Sequence, residues 1–435
     1  MRVKFSLVSL LFILIISTQV VSAGTAPELL AVKATSENNR EALPAIEELR
    51  AMGSTGLDSL QRQYASEIEQ HIANPTMTAS PEWLRITAAL DAISQQRNSY
   101  VSGLYWYTDL DQAKKVSAAT GKPILSLRLL GKLTDELSCA NSRFFRTVLY
   151  ANSTVSATLR DRFVLHWQTV RPVPLITIDF GDGRKLQRTI TGNSIHYILD
   201  SEGQVLEALP GVYGPQAFNR ELANAETLFT TLKGKSHAEQ QNVLANYYAA
   251  RANQGSLAWL ADINKIGGKQ PEGVSIQVNE KGEALSIMPL AVSKAVTEST
   301  VLRAMTAGSD ALGRITDEDA WRKIAALHSA DAVLDARSIA LIKKQNPGLA
   351  PKELASLIDS FQKSVALDSV RNEYRMHTRL LSWMTREMWR NDVEKFNEKV
   401  YAELFLTPKS DPWLGLLMPD AYTAIDNGGV VKVEN

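Results

Sequence analysis

Few side chains in this sequence have chemistry to offer, and they are scattered. Cys139 is the only cysteine among 435 residues. Ser142 follows three residues later, with Arg143 and Arg146 in the next turn. A cysteine at the head of a helix meets unpaired backbone N–H groups and partial positive charge, which favour thiolate over thiol. Guanidinium groups facing the sulfur add to this. A thiolate so placed attacks a disulfide and forms a mixed disulfide. One cysteine allows no internal disulfide, so the thiol is either a small buried residue or a reactive group meant for another molecule.

The six histidines (71, 166, 196, 237, 328 and 377) are dispersed. None stands in H-E-x-x-H or another metal spacing, so no metal or cofactor is expected. His166 and Cys139 could approach each other across the sheet, but a catalytic pair needs a third, orienting group, and none is identified. His196 falls inside a strand, as a satisfied core residue does. Gly181-Asp182-Gly183 reads as a hairpin turn, because no Lys-Ser/Thr follows at phosphate-loop spacing. The densest unusual cluster is Arg371, Asn372, Glu373, Tyr374, His377, Arg379, Trp383, Arg386, Trp389 and Arg390. Its helical spacing allows a cation–π surface for a ligand, or the edge of a helix–helix contact.

The ends of the chain set the context. Arg2 and Lys4, an apolar run from Leu7 to Ile16 and the small residues of Val21-Ser22-Ala23 read as a signal peptide cleaved after Ala23. The expected location is therefore periplasmic or secreted. No later stretch is long and apolar enough to span a membrane. The 47 basic and 47 acidic side chains fall to 45 and 47 once Arg2 and Lys4 leave with the leader, a formal charge of −2. So balanced a chain lacks the electrostatic footprint of a nucleic-acid binder.

The elements that must position the thiol divide into three regions. Residues 27–98 read as a helical arm, with helices over 43–52, 57–72 and 81–96. Residues 101–230 alternate helices and strands. A helix from Asp109 leads to a strand over 124–130, then a helix over 139–150 and a short one over 155–162. A strand over 163–167, a hairpin over 195–209 about Asp200-Ser201-Glu202-Gly203, and a closing helix over 216–228 complete it. Residues 236–425 read as a mostly helical domain, with candidates over 238–252, 284–305, 317–328, 334–345, 352–380, 381–390 and 392–403. Trp413 is expected to plug into that domain, and 426–435 form a tail. Interleaved strands and helices indicate an α/β sheet of mixed direction.

Within the middle region, Trp106, Asp109-Leu110, Gly121-Lys122-Pro123-Ile124-Leu125, Cys139-Ala140-Asn141-Ser142, Gly192-Asn193-Ser194-Ile195-His196, Asp200-Ser201-Glu202-Gly203 and Gly211 follow one another in the order of a thioredoxin-like domain. The chain resembles that superfamily over roughly 125 residues by domain-size reckoning. The resemblance implies a central mixed sheet with helices on both faces and a thiol at a helix N-terminus. It also marks three departures. Ser142 stands where the family's second cysteine stands, giving C-x-x-S. Ser194 occupies the place of the family's cis-proline, and Lys132 to Ser138 lengthens the link between strand and helix.

The fold class expected is thus a thioredoxin-like mixed sheet flanked by an N-terminal helical arm and a mostly α-helical C-terminal domain. The function expected is an exported interaction or scaffold protein without dithiol redox activity, acting on an exported protein partner. The alternative is monothiol exchange with Cys139 as nucleophile and Ser142 as hydrogen-bond donor. Ser194, Arg143 and Arg146 would then surround the thiol, and a low-molecular-weight thiol such as glutathione would resolve the mixed disulfide.

Overall fold

A computed structural model describes residues 26–189, 192–268 and 311–411. The expected leader, the helix over 284–305, most of the loop from Gly267 to Gly282, Trp413 and the tail lie outside the described residues.

The N-terminal arm contains α1 (Pro27–Lys33), α2 (Asn39–Ala51), α3 (Ser54–Gln63), α4 (Ala65–Ala73) and α5 (Pro81–Ser94). The single helix expected over 57–72 is α3 and α4 instead. Tyr64 leaves helical geometry between them (φ −115°, ψ 28°), and its hydroxyl meets Thr35 Oγ1 at 2.5 Å. Pro81 opens α5, and Ser80 Oγ accepts the Trp83 N–H at 3.1 Å. That pairing satisfies one orphan donor of the first turn. Leu49, Leu57, Leu60, Ile86 and Leu90 centre a core belonging to the arm.

A short helix, α6 (Ser99–Ser102), leads into the middle region. Its elements are β1 (Trp106–Tyr107), α7 (Leu110–Thr120), β2 (Ile124–Leu130), α8 (Ala140–Phe144), α9 (Ser153–Arg162), β3 (Val164–Arg171), β4 (Leu175–Asp179), β5 (Lys185–Thr189), β6 (Ser194–Leu199), β7 (Val205–Pro210) and α10 (Pro215–Leu232). Five strands form one mixed sheet in the order β1-β3-β2-β6-β7. β1 and β2 run parallel to β3, whereas β6 is antiparallel to both β2 and β7. Every residue of the central β2 is buried, as a strand covered on both faces must be. Leu125, Leu127 and Leu129 share one core with Phe145, Tyr150 and Phe218. Ile124 and Leu130 share the other with Ile195, Tyr197 and Phe396. Helices therefore cover both faces.

β4 and β5 form a separate hairpin about the turn expected at Gly181-Asp182-Gly183. It leaves Leu175, Ile178, Phe180 and Leu186 exposed.

The C-terminal region contains α11 (His237–Lys265), α12 (Ala311–Ile315), α13 (Glu318–Leu327), α14 (Ala336–Gln345), α15 (Pro351–Arg371), α16 (Thr378–Met384), α17 (Glu387–Arg390) and α18 (Val393–Lys399). The helices expected over 352–380 and 392–403 each contain a π-helical segment, Asn372–His377 and Val400–Leu404; a third, Phe145–Leu149, continues α8. Gly211 and Gly214 let this region close onto the sheet. A Cβ at Gly211, whose φ is +74°, would lie 2.6 Å from Asn372 Nδ2, and one at Gly214 would lie 2.2 Å from Asp331 O. At the start of β7, Tyr248 Oη donates to the carbonyls of Val205 and Leu206 at 3.4 and 3.0 Å. Among the described residues, no helix is long and apolar enough to cross a membrane.

Candidate functional site

Cys139 is the N-cap of α8, and its sulfur accepts the Ser142 backbone N–H at 3.4 Å. Its accessibility is 0 %. Ser142 thus reaches the sulfur through its backbone; its own buried hydroxyl has no hydrogen-bond partner among the described residues. The two arginines give their hydrogen bonds to other partners, although Arg146 lies within electrostatic reach of Cys139. Arg143 Nη2 donates to Thr189 Oγ1 at 3.1 Å. Arg146 donates to the carbonyls of Leu133, Asp135 and Glu136, tying down the long link that precedes the thiol. Burial, with the charges of Arg97 and Arg143, lowers the Arg146 pKa to about 10. Ser194 does lie beside the thiol's turn: its Oγ accepts from Asn141 Nδ2 at 2.8 Å. A Cβ at Gly192 would come within 3.0 Å of Asn141 Oδ1. Cys139, Ser142 and Ser194 therefore gather at the head of α8.

The C-terminal region covers them. Phe396, Val400, Tyr401, Leu404 and Phe405 share the core of Cys139. Tyr401 Oη donates to Asn193 O at 3.2 Å, and Arg171 Nη2 donates to Thr407 O at 2.6 Å. Burial, then the neighbouring Cys139, pushes the Tyr401 phenol above its usual range.

Beneath α18 lies a polar latch. Ser126 Oγ and His166 Nδ1 are 2.8 Å apart, while Arg128 donates to Ser126 Oγ and to Glu394 Oε1, both at 2.6 Å. Burial and the Arg128 charge lower His166 to about 3. The pair has the composition of nucleophile and base, yet both residues are wholly buried. His196 is the core residue expected from its strand: Tyr150 Oη is 2.7 Å from its Nε2, and burial lowers it to about 3.

The Arg/Trp cluster does not make one face. Arg371 pairs with Glu318 at 2.7 Å and lies over Trp321. Arg390 is buried over Tyr248, and donates to Met384 O and Gln241 Oε1. Arg379 and Lys399 lie over Trp383. These are packing contacts between helices, the second of the two readings of that spacing.

Glu373 and His377 of that cluster lead to a cavity. A volume of about 430 Å³ opens between α10, α11 and the 372–384 helix, lined by Glu221, Tyr247, Arg251, Glu373 and His377 among others. His377 Nε2 is 2.8 Å from Glu207 Oε1 on β7, and Tyr247 Oη donates to Glu207 Oε2 at 2.9 Å. Arg251 donates to Glu221 Oε2. Burial would lower His377, but Glu207 holds it above its ordinary value. Burial, and then the Glu221 charge, raises Glu373. Neither Glu207 nor Glu221 is singled out by spacing in the sequence. Glu207 carries a readable signal all the same, a lone carboxylate inside the apolar strand Val205-Leu206-Glu207-Ala208-Leu209.

Comparison with protein-family models, with curated proteins and with solved structures finds no match.

Proposed function

We propose that this protein is exported and uses a thioredoxin-like domain as a scaffold for contact with another exported protein, without dithiol redox activity. One observation carries the reading: the only thiol is 0 % exposed beneath α18 and the segment that follows. The thioredoxin-like assignment is supported by the mixed sheet with helices on both faces and the closing hairpin and helix. The meeting of the Gly192–Ser194 segment with the turn that bears Cys139 supports it further. The exposed apolar side chains of the β4–β5 hairpin support an interaction role, since clustered apolar surface marks contact sites.

One contact favours the second reading, monothiol exchange. The Ser142 N–H aimed at the sulfur stabilises a thiolate. In that cycle the thiolate attacks a disulfide, expels one thiolate and is released by an external thiol such as glutathione. The C-terminal cover must then move aside.

Two measurements on the purified mature protein separate the readings. The scaffold reading expects no disulfide reduction or isomerisation above the level of Cys139→Ser, and iodoacetamide labelling of Cys139 only after denaturation. Turnover that vanishes in Cys139→Ser, with rapid labelling of the folded protein below pH ~8.5, overturns it in favour of monothiol exchange.

A further inference from the structure

Glu207, Glu221 and His377 come from three separate elements, β7, α10 and the π-helical segment before α16, and meet in the interior. One potential ligand atom from each lies within 4.8 Å of the others, and all three residues are buried. Coordination by two carboxylates and an imidazole requires such convergence, and sequence spacing gives no hint of it.

The acidic character of the cluster alone would say little. Two further atoms point to a ligand. Glu221 is 1 % exposed and lines the cavity, and its Oε1 has no hydrogen-bond partner among the described residues. Tyr213, also 1 % exposed, leaves its hydroxyl likewise without a partner, within the field of Glu221, Glu373, Glu207 and Arg251. A buried carboxylate oxygen left without a partner is costly, more so than a neutral group. Glu221 is itself one of the three potential ligands, and the Tyr213 hydroxyl lies within the electrostatic reach of both carboxylates of the cluster.

Charged groups crowd the cluster. Three carboxylates, Glu207, Glu221 and Glu373, surround the cluster. Arg251 is bonded to Glu221, whereas the other nearby guanidinium, Arg220, is shared between Glu373 and the two oxygens of Asp331. His377 faces Glu207 Oε1 at 2.8 Å, and a metal ion would take the place of the proton between them.

We propose that Glu207, Glu221 and His377 bind one divalent transition-metal ion, with its open coordination position facing the 430 Å³ cavity. An imidazole with two carboxylates selects zinc-like ions over magnesium or calcium, which prefer all-oxygen shells. Three protein ligands beside a cavity leave room for a solvent or substrate ligand, as catalytic metal sites do. The site lies apart from Cys139, so the inference stands whether or not the scaffold reading holds.

The test titrates chelator-treated mature protein with Co²⁺ and Zn²⁺, read by calorimetry and by the visible absorption of bound Co²⁺. The expected result is one saturable site, with Zn²⁺ displacing Co²⁺ and a large excess of Mg²⁺ failing to do so. Glu221→Gln and His377→Gln should each weaken binding at least tenfold, since losing even a partner that only orients a ligand costs about that much. Cys139→Ser should leave both binding and spectrum unchanged. Should either ligand variant misfold by circular dichroism, the wild-type protein still decides, because Zn²⁺ must raise its melting temperature where Mg²⁺ does not. No saturable binding by the wild-type chain overturns the proposal. So does binding that survives both ligand substitutions, or that is lost in Cys139→Ser.

Discussion

His166 is held without its charge by burial and by the guanidinium of Arg128, and the consequence for stability has a definite sign. Its folded pKa is about 3, against about 6.5 in an unfolded chain. Between those values the unfolded state binds a proton that the folded state does not. The neutral histidine's contribution is therefore complete above pH ~6.5 and is lost as pH falls toward the folded value, by about 1.4 kcal/mol per pH unit. The predicted outcome is a difference of about one proton in the pH slope of unfolding free energy between wild type and His166→Asn, over pH ~6 to ~4. Urea titrations across that range measure it, and parallel slopes for the two proteins refute it. At this same scale the sequence disclosed much. Cys139 at the head of a helix and His196 in a strand were both legible, because each follows from local pattern. That Arg146 would serve backbone carbonyls was not legible, since those carbonyls belong to a loop whose path no periodicity specifies.

Among the elements, α18 and its π-helical continuation have the most influence on the thiol. Phe396 is fully buried in the core that also contains Cys139, Ile195 and Tyr197. Phe396→Ala removes a ring from a close-packed interior and should cost about 3–5 kcal/mol. It should also speed labelling of Cys139 under native conditions, because local opening of the cover becomes easier. Alkylation rates with and without the substitution, below the unfolding transition, test this coupling; equal rates would uncouple α18 from the thiol. Starts and stops of helices were well marked in sequence: Asp109 Oδ1 caps α7 through the Gln112 N–H at 2.9 Å, and Gly121 ends it at φ 67°. The three π-helical segments were not marked, since one extra residue per turn leaves no sign in composition. Nor was β1, whose two residues are too few to alternate. The apolar stripe of 393–404 said that this helix faces something; only the tertiary fold brings it over residues far earlier in the chain.

In the whole molecule, the arm, the sheet and the C-terminal helices are joined by polar anchors as well as cores. Arg50 donates to the carbonyls of Ile93 and Trp106 at 2.7 and 2.5 Å, fastening α2 to the start of the sheet. Asp335 accepts from the Ser153 N–H at 2.7 Å, fastening α14 to α9. The general architecture, a mixed sheet between helical regions, was legible because strand and helix periods differ. The partner of each face was not, because periodicity carries no information on which apolar surfaces meet. The place of β7 at the end of the sheet also bears on how the chain is made. Synthesis runs from residue 1 onward, so all five strands emerge before the 372–377 segment and α17 arrive to pack against β7. During this interval the nascent chain displays an unsatisfied strand that another copy can extend. A chain ending at Leu232 should therefore self-associate at concentrations where the full-length protein sediments as a single species. Sedimentation velocity of the two chains decides it, and a monodisperse short form would refute it. A protein assembled in this order needs a chaperone most at mid-synthesis, and least once its own later helices have taken over that duty.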